Sequence, residues 1–167
     1  MLKRLLRMIR HLVETRLATR RRFTTQVLDA IEAAVRAAEA NHSGELRLVV
    51  ETDLDAWSIM SGKTARARAL EVFAGFGVWD TQRNNGVLIY VLFADRAVEI
   101  IADRGFNSLV TAAEWARVGG VMETEFRQGR WQAGALAGVA AAAKLLARHF
   151  PGAESQDNEL PNRPVLL

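Results

Sequence analysis

Asn84 to Gly105, NNGVLIYVLFADRAVEIIADRG, is the stretch that decides the fold. Asn84-Asn85-Gly86 is a turn signal, and it opens into an unbroken apolar run from Val87 to Ala94. Asp95-Arg96 is a second turn signal. Ala97 to Ala102 follows, richer in β-branched residues, and closes at Asp103-Arg104-Gly105. Short apolar runs bounded by turn residues read as buried strands, and so short a connection makes them an antiparallel hairpin.

Working outward, Glu45 to about Thr52 reads as a further strand, opened by the helix stop His42-Ser43-Gly44. A helix from Thr24 or Thr25 to about Asn41 precedes it, with Val27, Leu28, Ile31, Ala34, Val35 and Ala38 on one face. Asp53 to Ser61 reads as a loop, and a helix from about Gly62 to Phe76 crosses over to the hairpin. After Gly105 two more helices are predicted, from Thr111 to Gln128 and from Trp131 to Phe150. The first of them opens on the capping box Thr111-Ala112-Ala113-Glu114. Strand, crossover helix and strand form a right-handed βαβ unit, and the third strand returns antiparallel. The expected fold is a three-layer α/β/α sandwich on a small mixed sheet that includes an antiparallel hairpin. Three regions are predicted: an arm over residues 1–22, a domain over 23–150, and a loose tail over 151–167 containing Pro161 and Pro164.

The 167 residues include no cysteine, which excludes disulfides and thiolate chemistry. No apolar run approaches the roughly 20 residues of a membrane span. Charge is unevenly placed. Residues 1–22 carry eight basic side chains against one acid, Glu14, a net +7, while the remainder carries 14 basic and 18 acidic side chains, a net −4. In the arm, Leu2, Leu5, Leu6, Ile9, Leu12, Val13 and Leu17 recur at helical spacing, with Lys3, Arg4, Arg7 and Arg10 between them. Such a helix packs its apolar stripe on the domain or on a second copy, or lies on an anionic membrane surface with its arginines at the headgroups. Nucleic acid is disfavoured because no stacking aromatics interleave with the cations. The arginines also break any secretory apolar core, which places the chain in the cytoplasm or peripherally on the inner membrane.

The strand directions sort polar residues to two sheet edges. One gathers His42, Ser43, Glu45, Asp80, Asn84, Asn85, Asp103 and Arg104. The other gathers Glu51, Asp53, Asp55, Asp95 and Arg96. The first is the better site candidate. Its carboxylates and amides are hard oxygen donors suited to calcium or magnesium, with Asp80, Asn84 and Asp103 as the candidate ligands. Each of these features also has a structural explanation, since Asn-Asn-Gly suits a tight turn and Asp103-Arg104 suits a surface ion pair. No nucleophile, general acid or phosphate-cradling loop is evident. Trp57, in a polar loop, is expected to be exposed.

Gly44-Glu45-Leu46 leading into a strand, Val72-Phe73 before the glycines, and Asn85-Gly86-Val87-Leu88 opening a hairpin that closes at Gly105 resemble the TPM domain over roughly residues 24–150. That family includes thylakoid-lumen photosystem repair proteins and bacterial envelope proteins. The resemblance implies an α/β/α sandwich, and in some members calcium binding and acid phosphatase activity. Three positions that are acidic in those members are neutral here, at Asn84, Asn107 and Ala112, and fewer charges weaken a hard-dication site. The reading is therefore a binding or assembly module at the inner membrane surface. The alternatives are a calcium- or magnesium-dependent phosphatase-like domain and a structural homo-oligomer subunit.

Overall fold

The computed structural model describes residues 2–152 and 158–167, with only the backbone for Leu2 and Lys3. In chain order it runs α1 (Leu2–Val13), α2 (Arg16–Arg22), α3 (Thr25–Glu39), β1 (Glu45–Glu51), α4 (Ala56–Met60), α5 (Ala65–Gly75), β2 (Gly86–Leu92) and β3 (Ala97–Ala102). A 3-10 turn (Arg104–Phe106) leads to α6 (Ala112–Arg127), α7 (Trp131–His149) and β4 (Val165–Leu166). The sheet order is β3-β2-β1-β4. β1 runs parallel to β2 in the register Glu45↔Gly86 to Glu51↔Leu92, and β2 runs antiparallel to β3. This is the expected sandwich, with the hairpin as its centre and edge.

The alternation of the strands splits the core in two. Leu46, Leu48, Val50, Val87, Ile89 and Val91 face Ile31 and Val35 of α3, Met122 of α6 and Val139 and Leu146 of α7. Val49, Leu88, Tyr90 and Leu92 face Ile59 of α4, Val72 of α5 and Leu160 of the C-terminal segment. Two glycines allow the hairpin to sit where it does. A Cβ on Gly86 would overlap the Val78 carbonyl, and one on Gly105 would overlap the carbonyl of Asn84, whose oxygen accepts the Gly105 N–H at 3.0 Å. Asn84 itself takes a left-handed φ of 53°, which asparagine tolerates.

Three expectations are corrected. The arm is two helices rather than one, because Thr15 adopts extended backbone and its side chain accepts the Ala18 N–H, capping α2. The loop after β1 contains α4, capped by Asp55 through Ser58. Of the predicted tail, residues 153–157 lie outside the described residues, and residues 158–167 are not loose but are bound along β1, where Glu45, Arg47 and Glu51 are polar yet buried. The Glu45 carboxylate accepts the Glu159 and Leu160 N–H groups, and Arg47 donates to the Pro161 and Arg163 carbonyls. Val165 and Leu166 then pair parallel with Val49 and Val50.

Candidate functional site

β1 and β2 begin and β3 ends at one edge of the sheet, where the side chains turn to separate tasks. Asn85 is buried. Its amide donates to the Ser43 carbonyl at 2.6 Å and its N–H donates to Thr81 Oγ1. Arg83 donates to Ser43 Oγ. The Arg104 guanidinium donates to Asn84 Oδ1 at 2.7 Å, and the Arg104 N–H donates to Asp103 Oδ1 at 2.6 Å. Glu45 holds the C-terminal segment. His42 is buried with neither ring nitrogen partnered, and its burial pulls its pKa below the ordinary histidine value. Asp80 is exposed.

Whether this edge suits calcium or magnesium can be judged from its donors. Two buried oxygens, Asn85 Oδ1 and Asp103 Oδ2, have no partner, as an oxygen awaiting a cation would. The rest argues against it. Asn84 already accepts from a guanidinium, Asp80 points to solvent, and among the described residues no three acidic or histidine side chains converge on a point. A hard dication wants six or more oxygens and several formal charges. Asp80, Asn84 and Asp103 do not make that set.

Sequence reasoning missed Glu39. This carboxyl is pushed up to about 7, mainly by burial and then by the neighbouring Glu45 charge, against hydrogen bonds from the Leu46 N–H and Asn162. It lies with His42 and Glu45 in a cleft of about 530 Å³ beneath the C-terminal segment. The long-range bond to Asn162 could not be foreseen, because that segment reads as a tail.

The second edge holds the denser ionic network. Arg7 clasps Asp95 with Nε at 3.0 and 3.1 Å from its two oxygens and Nη2 at 2.7 Å. Its Nη1 donates to the Lys63 carbonyl. Arg10 lies 3.7 Å from the same carboxylate. The Leu54 N–H donates to His11 Nδ1 at 2.9 Å, so the ring proton sits on Nε2 and points at Asp95 Oδ1, 3.1 Å away. Burial opposes the Asp95 charge, but Arg7 and His11 outweigh it and hold the carboxyl below its usual range. On the same side of the molecule Glu51 takes three bonds from Arg68 and one from the buried Tyr90 hydroxyl. Desolvation and that carboxylate push the Tyr90 phenol up.

The consequence is an amphipathic helix mounted the unexpected way round. Arg7 and His11, four residues apart, lie on one face of α1 and bind the domain, with Met8 packed beside them. The apolar stripe therefore faces out: Leu5 and Leu6 are each 53 % exposed, Ile9 48 %, Leu12 74 % and Val13 71 %. Leu17 of α2 is exposed too, as are Arg4, Arg10, Arg16, Arg20 and Arg21. The side chain of Lys3 lies outside the described residues. α4, packed against α1, exposes Trp57 and Met60. Packing of the stripe on the chain's own domain, one of the expectations above, is thus excluded by the orientation of the helix. No described helix is long and apolar enough to cross a membrane.

A profile of the TPM domain matches residues 20–145. The chain belongs to the TPM domain family. The NMR structure of the BA42 protein from the psychrophilic bacterium Bizionia argentinensis is similar, with 32 % identity, a TM-score of 0.71, and coverage of 86 % of this chain and 94 % of that one. The NMR structure of the N-terminal domain of a protein from P. gingivalis shares the fold at 19 % identity and a TM-score of 0.63, covering 80 % and 82 %. No curated protein matches. The arm up to Thr19 lies outside the stretch matched to the TPM domain.

Proposed function

We propose that this TPM domain is a binding module that attaches peripherally to an anionic membrane surface, at the inner face, through the outward apolar side of α1. One observation carries the reading: α1 is tethered to the domain by Arg7 and His11, which commits Leu5, Leu6, Ile9, Leu12 and Val13 to the outside. A row of exposed leucines costs free energy in water and gains it at an interface, at about 25 cal/mol per Å² of apolar surface buried. The exposed arginines flanking the row add attraction to anionic headgroups. Trp57 on the adjacent α4 is a residue type enriched at membrane interfaces. The domain itself then serves as the part held at the surface.

The test is sedimentation of the full chain with vesicles of phosphatidylglycerol in phosphatidylcholine, against phosphatidylcholine alone. Binding is expected to the anionic vesicles only, and to weaken with salt. The pair Leu5→Gln and Leu12→Gln, both at exposed positions, should weaken it by about tenfold per residue. A chain that ignores the vesicles but forms a concentration-dependent dimer, lost in the same double variant, would overturn the membrane reading in favour of a second copy as occupant.

A further inference from the structure

At the end of the sheet where β2 finishes, a cleft of about 370 Å³ opens between the arm and α6. Its floor is aromatic. Phe93, just past β2, lies 4.7 Å centroid to centroid from Trp131 at the start of α7, and Trp131 stacks on Phe126 of α6 at 5.1 Å and 29°. Its walls are arginines from three elements: Arg22 at the end of α2, Arg96 in the hairpin turn, and Arg127 at the end of α6. The Arg22 guanidinium lies over the Phe93 ring at 4.7 Å and the Trp131 ring at 5.5 Å.

The charges do not cancel. Glu14 pairs with Arg22 at 3.1 Å, and Glu123 lies 3.8 Å from Arg127. Arg96 has no ion-pair partner among the described residues, which leaves one exposed guanidinium at the mouth of an aromatic cavity. A planar guanidinium pairs bidentately with a carboxylate, and aromatic faces favour a flat apolar body. The volume lies in the range of small-molecule sites, which combine an apolar lining with a few polar groups that fix orientation.

We propose that this cleft binds a small, flat, singly charged anion of the aromatic carboxylate class. Its ring rests along the aromatic floor of Phe93, Phe126 and Trp131 and its carboxylate meets Arg96, beside the Arg22 guanidinium. The site is separate from the membrane-facing side of α1 and stands or falls independently of it.

The experiment is a titration of the full chain, without vesicles, with 2-naphthoate, followed by the Trp131 indole N–H resonance, which is assigned with Trp131→Phe. Two controls run beside it: 2-naphthalenemethanol, which has the same body without charge, and octanoate, which has the same head on a flexible chain. Saturable binding of naphthoate at least tenfold tighter than either control is expected. Arg96→Gln, at an exposed position, should weaken it at least fivefold while leaving the unfolding midpoint unchanged. No saturable shift at millimolar naphthoate, equal binding of the neutral alcohol, tighter binding of octanoate, or an unaffected Arg96→Gln variant would each overturn the assignment.

Discussion

Replacing Asp95 with asparagine keeps the shape of the turn and removes the charge on which the arm is mounted. Arg7 and His11 are polar contacts between α1 and the domain that converge on this carboxylate, with the Arg7 side chain 18 % exposed and His11 2 %. A charge-assisted hydrogen bond contributes roughly 1.5–3 kcal/mol, and stranding a half-buried guanidinium costs a similar amount. The two effects share one acceptor, so about 3 kcal/mol is a fair total for the docking of α1, or roughly a 150-fold shift toward the undocked arm. Because α1 adds only Met8 to the margin of the domain core, the loss is local and leaves global unfolding nearly unchanged. Amide hydrogen exchange reads this directly. The Leu54 N–H, whose acceptor is His11 Nδ1 at 2.9 Å, should lose about a hundredfold in protection in Asp95→Asn, together with the amides of α1. β1 and β2 amides should keep theirs. Unchanged protection at Leu54 would refute the tether, and with it the reason the apolar stripe faces out. A collapse of protection throughout the sheet would show instead that Asp95 supports the whole domain.

Gly86→Ala drives a Cβ into the Val78 carbonyl, which is backbone and cannot swing away. About 3 kcal/mol of destabilisation is expected by chemical denaturation, and a loss below about 0.5 kcal/mol would contradict the packing. Glu39 provides a pH dependence. The folded protein keeps the Glu39 proton to about pH 7, whereas the unfolded chain releases it near 4.5. Between those values the folded state binds the extra proton, so stability falls as pH rises. The shift corresponds to at most about 3 kcal/mol, and partial exposure brings it nearer 1–2 kcal/mol. Glu39→Gln should flatten that slope between about pH 4.5 and 7 in denaturation midpoints, and an unaltered slope would assign it elsewhere.

Most of the fold is legible in the sequence because its signals are local. Apolar runs between turn residues mark the hairpin, the Thr111–Glu114 capping box is present as read, and the glycines at 86 and 105 stand where backbone meets backbone. The composition of the arm also showed that it is amphipathic, a property of spacing alone. What spacing cannot state is which face of such a helix is inward. Hydrophobicity alone would bury the leucines. The outcome is reversed because Asp95, 84 residues further along the chain than His11, is half-buried and needs cations, and the polar face of α1 supplies them. The same reason explains the C-terminal segment and Glu39. Pro161 and Pro164 read as a tail until Glu45, Arg47 and Glu39, spaced as ordinary surface charges, meet them across β1. Strand direction gathers the polar cluster at the first edge, but direction places only backbones. Whether Asn84 meets a cation or a guanidinium was decided by Arg104 in the folded chain. Local pattern determined the elements and their order. The long-range pairing of charges, which no window of sequence contains, decided which surfaces are left open to act.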